Sequence, residues 1–267
     1  MIMIDPKLVF AIVIRQIFLL QRSIIRLFGL FYWPALDLIL WGVFTIYLNQ
    51  IDQLQFNFTA IIVGAVIFHS FFIRIVHGIT VSFMEDLWTR NLVNLFASPL
   101  SVSEYVLGLV IMSIGETIVS TVFLGICAWV LFAFNIFSLG IFLIPFAAIL
   151  FLFGIALGIF ATAVVLRYGP QAEMFTWSIP ALMTPLSAMF YPVSALPPFL
   201  QWIAHLIPAS YAFEGMRAAV LEGSFDANAV LIGLLLSFLY LILASLYIWI
   251  CYRTVLRRGL FARFLTD

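Results

Sequence analysis

The chain has 267 residues, with 12 Lys and Arg balanced by 12 Asp and Glu; 65% of it is hydrophobic and only 9% is charged. A soluble domain averages roughly 45–50% apolar and about 25% charged residues, so a mean hydropathy of +1.21 excludes a water-covered globule and makes lipid the solvent. The zero net charge gives no overall pull toward nucleic acid or an acidic partner.

In chain order, residues 1–28 come first. Arginines interrupt every apolar run and no small-residue cleavage site follows, so the segment is not a cleavable signal peptide. At 100° per residue, Arg15, Arg22 and Arg26 fall within about 40° of one another. That pattern predicts a helix lying in the cytoplasmic interface, its arginines toward lipid phosphates or a docked partner.

A crossing needs about 20 mostly apolar residues, and six stretches qualify: 30–49, 58–80, 105–133, 139–166, 174–191 and 228–252. The fifth is short and broken by Pro180 and Pro185, a pattern tolerated at membrane depth only against protein or a water-filled cavity. Asn49–Asn57 and Phe134–Ser138 read as short external connections. Residues 83–104 form a cytoplasmic loop carrying Glu85, Asp86 and Arg90 in a helical pattern that ends at Pro99. Residues 192–227 form a long external segment that remains greasy. Phe199, Leu200, Trp202, Ile203, Leu206 and Ile207 recur at helical spacing before Pro208, which predicts short helices re-entering the outer leaflet. With this topology, eleven of the twelve Lys and Arg residues lie on one side and only Arg217 on the other. The positive-inside bias therefore predicts that both termini are cytoplasmic.

A charge at membrane depth costs roughly 2.5–3.5 kcal/mol or more, so Asp37, His69, Arg74 and Glu116 each require a partner or a function. At about 1.5 Å rise per residue, Asp37 and Arg74 share one depth, and His69 and Glu116 another. Two inter-helix pairs are expected, Asp37–Arg74 and His69–Glu116, with structural pairing, lining of a route and proton coupling all open as roles. Cys127 and Cys251 sit in apolar runs near opposite faces and lack metal-ligand spacing, so they read as small buried hydrophobes. Gly154 and Gly158 permit close helix packing within the protomer. Trp33, Trp41, Trp177 and Trp202 are expected interfacial anchors. No Ser/His/Asp set, paired catalytic carboxylates or metal cluster argues for an enzyme.

Two segments carry a family resemblance. The first is Glu85-Asp86-Leu87, then Asn91-Leu92-Val93-Asn94-Leu95-Phe96-Ala97-Ser98-Pro99-Leu100-Ser101, followed by Glu104. The second is Pro185-Leu186-Ser187-Ala188-Met189-Phe190-Tyr191-Pro192, then Leu196-Pro197-Pro198-Phe199-Leu200 and Ile207-Pro208-Ala209-Ser210-Tyr211, ending at Glu214 and Arg217. With the amphipathic N-terminus and the six spans, these resemble the permease of a type-2 ABC exporter over nearly the whole chain. Ala188 is a departure, since many relatives have Gly there.

The resemblance implies an all-α polytopic membrane protein, one transmembrane domain over residues 1–267, in the cytoplasmic (inner) membrane. Two permease copies, expected as a homodimer, would work with two ATPase subunits to export a drug-like amphiphile, a lipid-linked glycan or a lipid. Glu85, Asp86, Arg90, Leu92, Leu95 and Phe96 would belong to the coupling segment that docks on the ATPase. Pro192, Leu196, Pro197, Pro208, Tyr211, Glu214 and Arg217 would shape an external gate. ATP and Mg would be bound by the partner and no cofactor by this chain, whose single lysine, Lys7, cannot supply the lysine of a phosphate loop. The rival reading is an ion-coupled secondary transporter or channel, although no clear repeat is visible.

Overall fold

The computed structural model describes residues 4–51, 58–135, 143–221 and 223–258. Among them every regular element is helical, and five helices are long and apolar enough to cross a membrane.

Helix α1 (Pro6–Arg22) starts on an Asp5 cap whose carboxylate accepts from the Lys7 N–H at 2.9 Å, with Pro6 in the first turn. Ser23 then takes an extended conformation, and α2 (Ile24–Ile51) begins at once. The elbow corrects the single amphipathic helix expected over 1–28: Arg26 belongs to the spanning helix, not to the interfacial one. α3 (Phe58–Trp88) follows, then the short α4 (Leu92–Ala97) and α5 (Val102–Phe132). The turn between α3 and α4 passes through Arg90, whose φ is +56°.

Helix α5 opens with a reciprocal cap. Ser101 Oγ accepts from the Glu104 N–H, while Glu104 Oε2 accepts from the Ser101 N–H at 2.8 Å. The other Glu104 oxygen accepts from the Asp5 N–H, also at 2.8 Å. One carboxylate thus fastens the starts of α1 and α5 together. Lower along the same crossing, a methyl at Gly108 would stand 2.5 Å from Ile12 Cγ2, so α1 lies hard against α5.

Helix α6 (Leu143–Tyr168) is the central element, packed against α3 and against α10 (Ala227–Arg257). Gly154 and Gly158 face α3, where added methyls would meet Ile75 Cγ2 at 3.2 Å and Ile79 Cδ1 at 2.9 Å. The small-residue pair therefore works inside the protomer, as its spacing suggested. Lipid gives no hydrophobic drive to helix association, so such close van der Waals packing is what holds the bundle.

The expected fifth span is shorter than 174–191. After Gly169 and a turn at Pro170–Ala172, α7 (Glu173–Leu186) runs for 14 residues with Pro180 and Pro185 inside it. Ala188 then adopts a left-handed conformation, φ +53°, and a turn at Val193–Ala195 leads to α8 (Pro198–Leu206) and α9 (Pro208–Leu221). The residues 52–57 and 136–138 of the expected external connections, and Arg263, lie outside the described residues.

Candidate functional site

Two ionic centres join α1 and the start of α2 to the C-terminal end of α3 and the N-terminal half of α5. In the first, the Arg26 guanidinium donates from Nη1 to Gln16 Oε1 at 3.0 Å and Glu85 Oε2 at 2.6 Å. From Nη2 it donates to Ser82 Oγ and Glu116 Oε1, both at 2.7 Å. One side chain of α2 therefore grips α1, α3 and α5, and only 9% of it is exposed. In the second, Arg15 of α1 forms a two-pronged pair with Asp86 of α3, whose Oδ2 also accepts from the Tyr105 hydroxyl at 2.7 Å.

These contacts revise three expectations. Arg15 and Arg26 turn inward to carboxylates rather than out to lipid phosphates, because Glu85, Asp86 and Glu116 need cations where water is scarce. Glu116 pairs with Arg26, not with His69, whose Nε2 instead lies 2.9 Å from Thr184 Oγ1 on α7. Arg74 does not pair with Asp37. Its Nη2 donates to the carbonyls of Gly29 at 3.0 Å and Leu30 at 3.4 Å.

The four polar groups singled out at membrane depth nonetheless converge. Asp37, His69, Arg74 and Glu116 all line one cavity of about 650 Å³ between α2, α3 and α7, with Glu116 reaching it from α5. Arg26, Glu85, His77, Ser70, Trp33, Trp88 and Trp177 complete much of its wall. His77 meets Trp177 edge-on with centroids 4.8 Å apart. The cavity reaches from the Arg26 ionic centre toward mid-helix at Asp37.

The segment after α3 has a packed side and an open side. Leu92 is fully buried, and Leu95 and Phe96 pack against the hydrophobic core at this end of the bundle. Phe96 meets Tyr105 and Tyr252 with centroids 5.5 and 5.2 Å apart, anchoring α4 to α5 and α10. Asp86 is also interior, with 1% of its side chain exposed. What faces outward is Arg90, Asn94, Ala97, Ser98 and Pro99. Trp88, at the end of α3, donates from its indole to Glu173 Oε2 at 3.2 Å, so this segment also touches the start of α7.

The opposite end of the molecule is tied differently. Arg217 on α9 donates to the carbonyls of Ala188 at 2.7 Å and Met189 at 3.2 Å, and Glu214 Oε1 accepts from the Val193 N–H at 2.8 Å. Burial draws the Arg217 guanidinium below its ordinary value, partly offset by Glu214, yet an arginine remains charged at physiological pH. The Tyr211 hydroxyl donates to the His205 carbonyl at 3.0 Å, and Pro208, itself buried, begins α9. Pro192 and Pro197 are exposed and Leu196 is half-buried. On α8 the apolar residues Phe199, Trp202 and Leu206 point away from the protein, with Trp202 78% exposed.

Among the described residues no group of three or more His, Cys, Asp or Glu is placed to hold a metal ion. A family model described as ABC-2 type transporter matches residues 8–221. No curated protein matches the chain.

Proposed function

The chain belongs to the ABC-2 type transporter family and is a multi-pass permease subunit; from that premise we propose that it exports an amphiphile across the cytoplasmic (inner) membrane. The cargo class is a drug-like molecule, a lipid-linked glycan or a lipid. The working unit is a homodimer with two copies of a separate ATPase chain, which binds ATP and Mg. Both termini are cytoplasmic. Helix α7 supplies a sixth crossing, and α8 lies in the outer leaflet, where its outward aromatic residues meet lipid.

The observation that carries this reading is the two-sided cytoplasmic segment. Its hydrophobic side is locked into the core, while the face formed by Arg90, Asn94, Ala97, Ser98 and Pro99 is left open to a partner. Asp86 and Glu85 are positioning residues on this account. They transmit displacement of α4 to Arg15 and Arg26, and hence to α1, α2 and α5. Trp88 passes the same displacement to α7 through Glu173. Since α2, α3 and α7 are the walls of the cavity, a push on α4 changes the opening between them. The tied return at Arg217 and Glu214 holds the external rim during that motion.

Affinity purification of the tagged full-length chain from its native membrane tests the proposal. An ATP-hydrolysing ABC subunit should co-elute with the wild type and be lost from Ala97→Arg, which adds bulk and charge to the exposed face of α4. Elution of the wild type without such a subunit overturns the reading.

A further inference from the structure

The cavity between α2, α3 and α7 contains one charge that its neighbours do not balance. Arg26 faces Glu85 and Glu116, and Arg74 lies in the field of Glu116 while its Nη2 is committed to two carbonyls. Against these two arginines stand three carboxylates, Glu85, Glu116 and Asp37, so the lining carries one formal negative charge in excess. Asp37 remains over, exposed in the same cavity, and among the described residues no ion pair reaches its carboxylate. It is the fourteenth residue of α2, about 20 Å from the helix start at 1.5 Å per residue. At such a depth an unpaired charge is expensive and marks a ligand counter-ion or a pathway.

The surrounding walls are aromatic. Trp33 precedes Asp37 by four residues, about 40° away around α2, and is 66% exposed. Trp177 reaches the cavity from α7 and Trp88 from the end of α3, both about half exposed. The indole face is the strongest cation-attracting surface among the side chains. An anion would find less, because Arg26 is saturated by four acceptors and the Arg74 Nη2 is committed to the carbonyls of Gly29 and Leu30. A volume of about 650 Å³ falls in the range that encloses a drug-sized ligand, roughly 300–1,000 Å³.

We propose that this cavity binds amphiphilic organic cations, with Asp37 as the counter-ion and Trp33 and Trp177 stacking on the apolar body. The inference rests on the permease reading and deepens it by giving the cargo a charge. Glu85 and Glu116 are not part of the cation site, since both are held by Arg26.

Tetraphenylphosphonium and tetraphenylborate share a shape and differ in sign, which makes them a matched pair of probes. Their binding to the full-length chain in nanodiscs is read by quenching of tryptophan fluorescence, with empty nanodiscs as the blank for lipid partition. The phosphonium should bind at least tenfold more tightly than the borate. Asp37→Asn should remove that preference, Asp37→Glu should retain it, and Trp177→Ala should weaken both probes. Equal affinity of the two probes for the wild type, or a phosphonium affinity unchanged in Asp37→Asn, overturns the proposal. So does an Asp37→Asn variant that alters self-association while leaving phosphonium affinity intact, which would assign Asp37 to a seam between copies. These failures leave co-elution of the ATPase untouched, whereas loss of that co-elution leaves the binding result standing.

Discussion

Arg26 holds four acceptors on three neighbouring helices, and its removal would leave Glu85 and Glu116 without their ion-pair partner. Breaking a buried ion pair from one side costs about 3–5 kcal/mol. Arg26→Ala should therefore lower the thermal midpoint of the detergent-purified protein sharply. Combining Arg26→Met with Glu116→Gln should recover part of the loss, because the more deeply buried of the two carboxylate charges disappears with the cation and only Glu85, 23% exposed, is left. Ala188 gives a prediction of opposite sign. A left-handed alanine costs roughly 1–2 kcal/mol, and Ala188 is fully buried in that conformation at φ +53°. Ala188→Gly should raise the midpoint by the equivalent of about 1 kcal/mol, measured in the same thermal unfolding assay. The sequence placed Asp37, His69, Arg74 and Glu116 at membrane depth, and depth is legible from counting residues along a helix. Pairing was not, because it depends on how each helix is rotated about its axis. The partner of Glu116 was hidden in Arg26, which read as a surface arginine until the Ser23 elbow turned it inward.

The helix crossings depend on small residues at defined points. A methyl at Gly158 would approach Ile79 Cδ1 to 2.9 Å and the Val76 carbonyl to 3.4 Å. Gly158→Val overfills that seam between α3 and α6, at a cost of about 1–3 kcal/mol. The same unfolding assay should record the loss, and adding Ile79→Ala should restore part of it. The G-x-x-x-G spacing marked close packing in advance, whereas the partner helix α3 was not legible in it. The long spans were readable, since runs of apolar residues set their length. The extent of α7 was less so: Pro180 and Pro185 lie within the helix, which ends at Leu186 with Ser187 as its cap, just before the left-handed Ala188, a backbone feature that hydropathy does not register. Glu104 was noted only as the end of a motif. Its second oxygen reaches Asp5 across 99 residues of chain, a long-range contact without a local sequence signal.

For the whole molecule, an outward face around α4, the ion pairs of Arg15 and Arg26, and a cavity between α2, α3 and α7 follow one another along α3. The family match over residues 8–221 establishes what kind of machine this is, and the geometry proposes how a push from a separate motor reaches the cavity. Ser70 lines that cavity and is nearly buried, so a cysteine there reports access with little change of shape. The most direct test uses Ser70→Cys in a chain whose Cys127 and Cys251 are replaced by alanine, assembled with its co-purified ATPase subunit in liposomes. The rate of labelling by a small charged thiol reagent is compared with and without ATP and vanadate. The account predicts a several-fold change in rate on nucleotide trapping, abolished by adding Arg26→Gln. A rate indifferent to nucleotide but responsive to an imposed proton gradient would contradict it and identify an ion-coupled carrier instead.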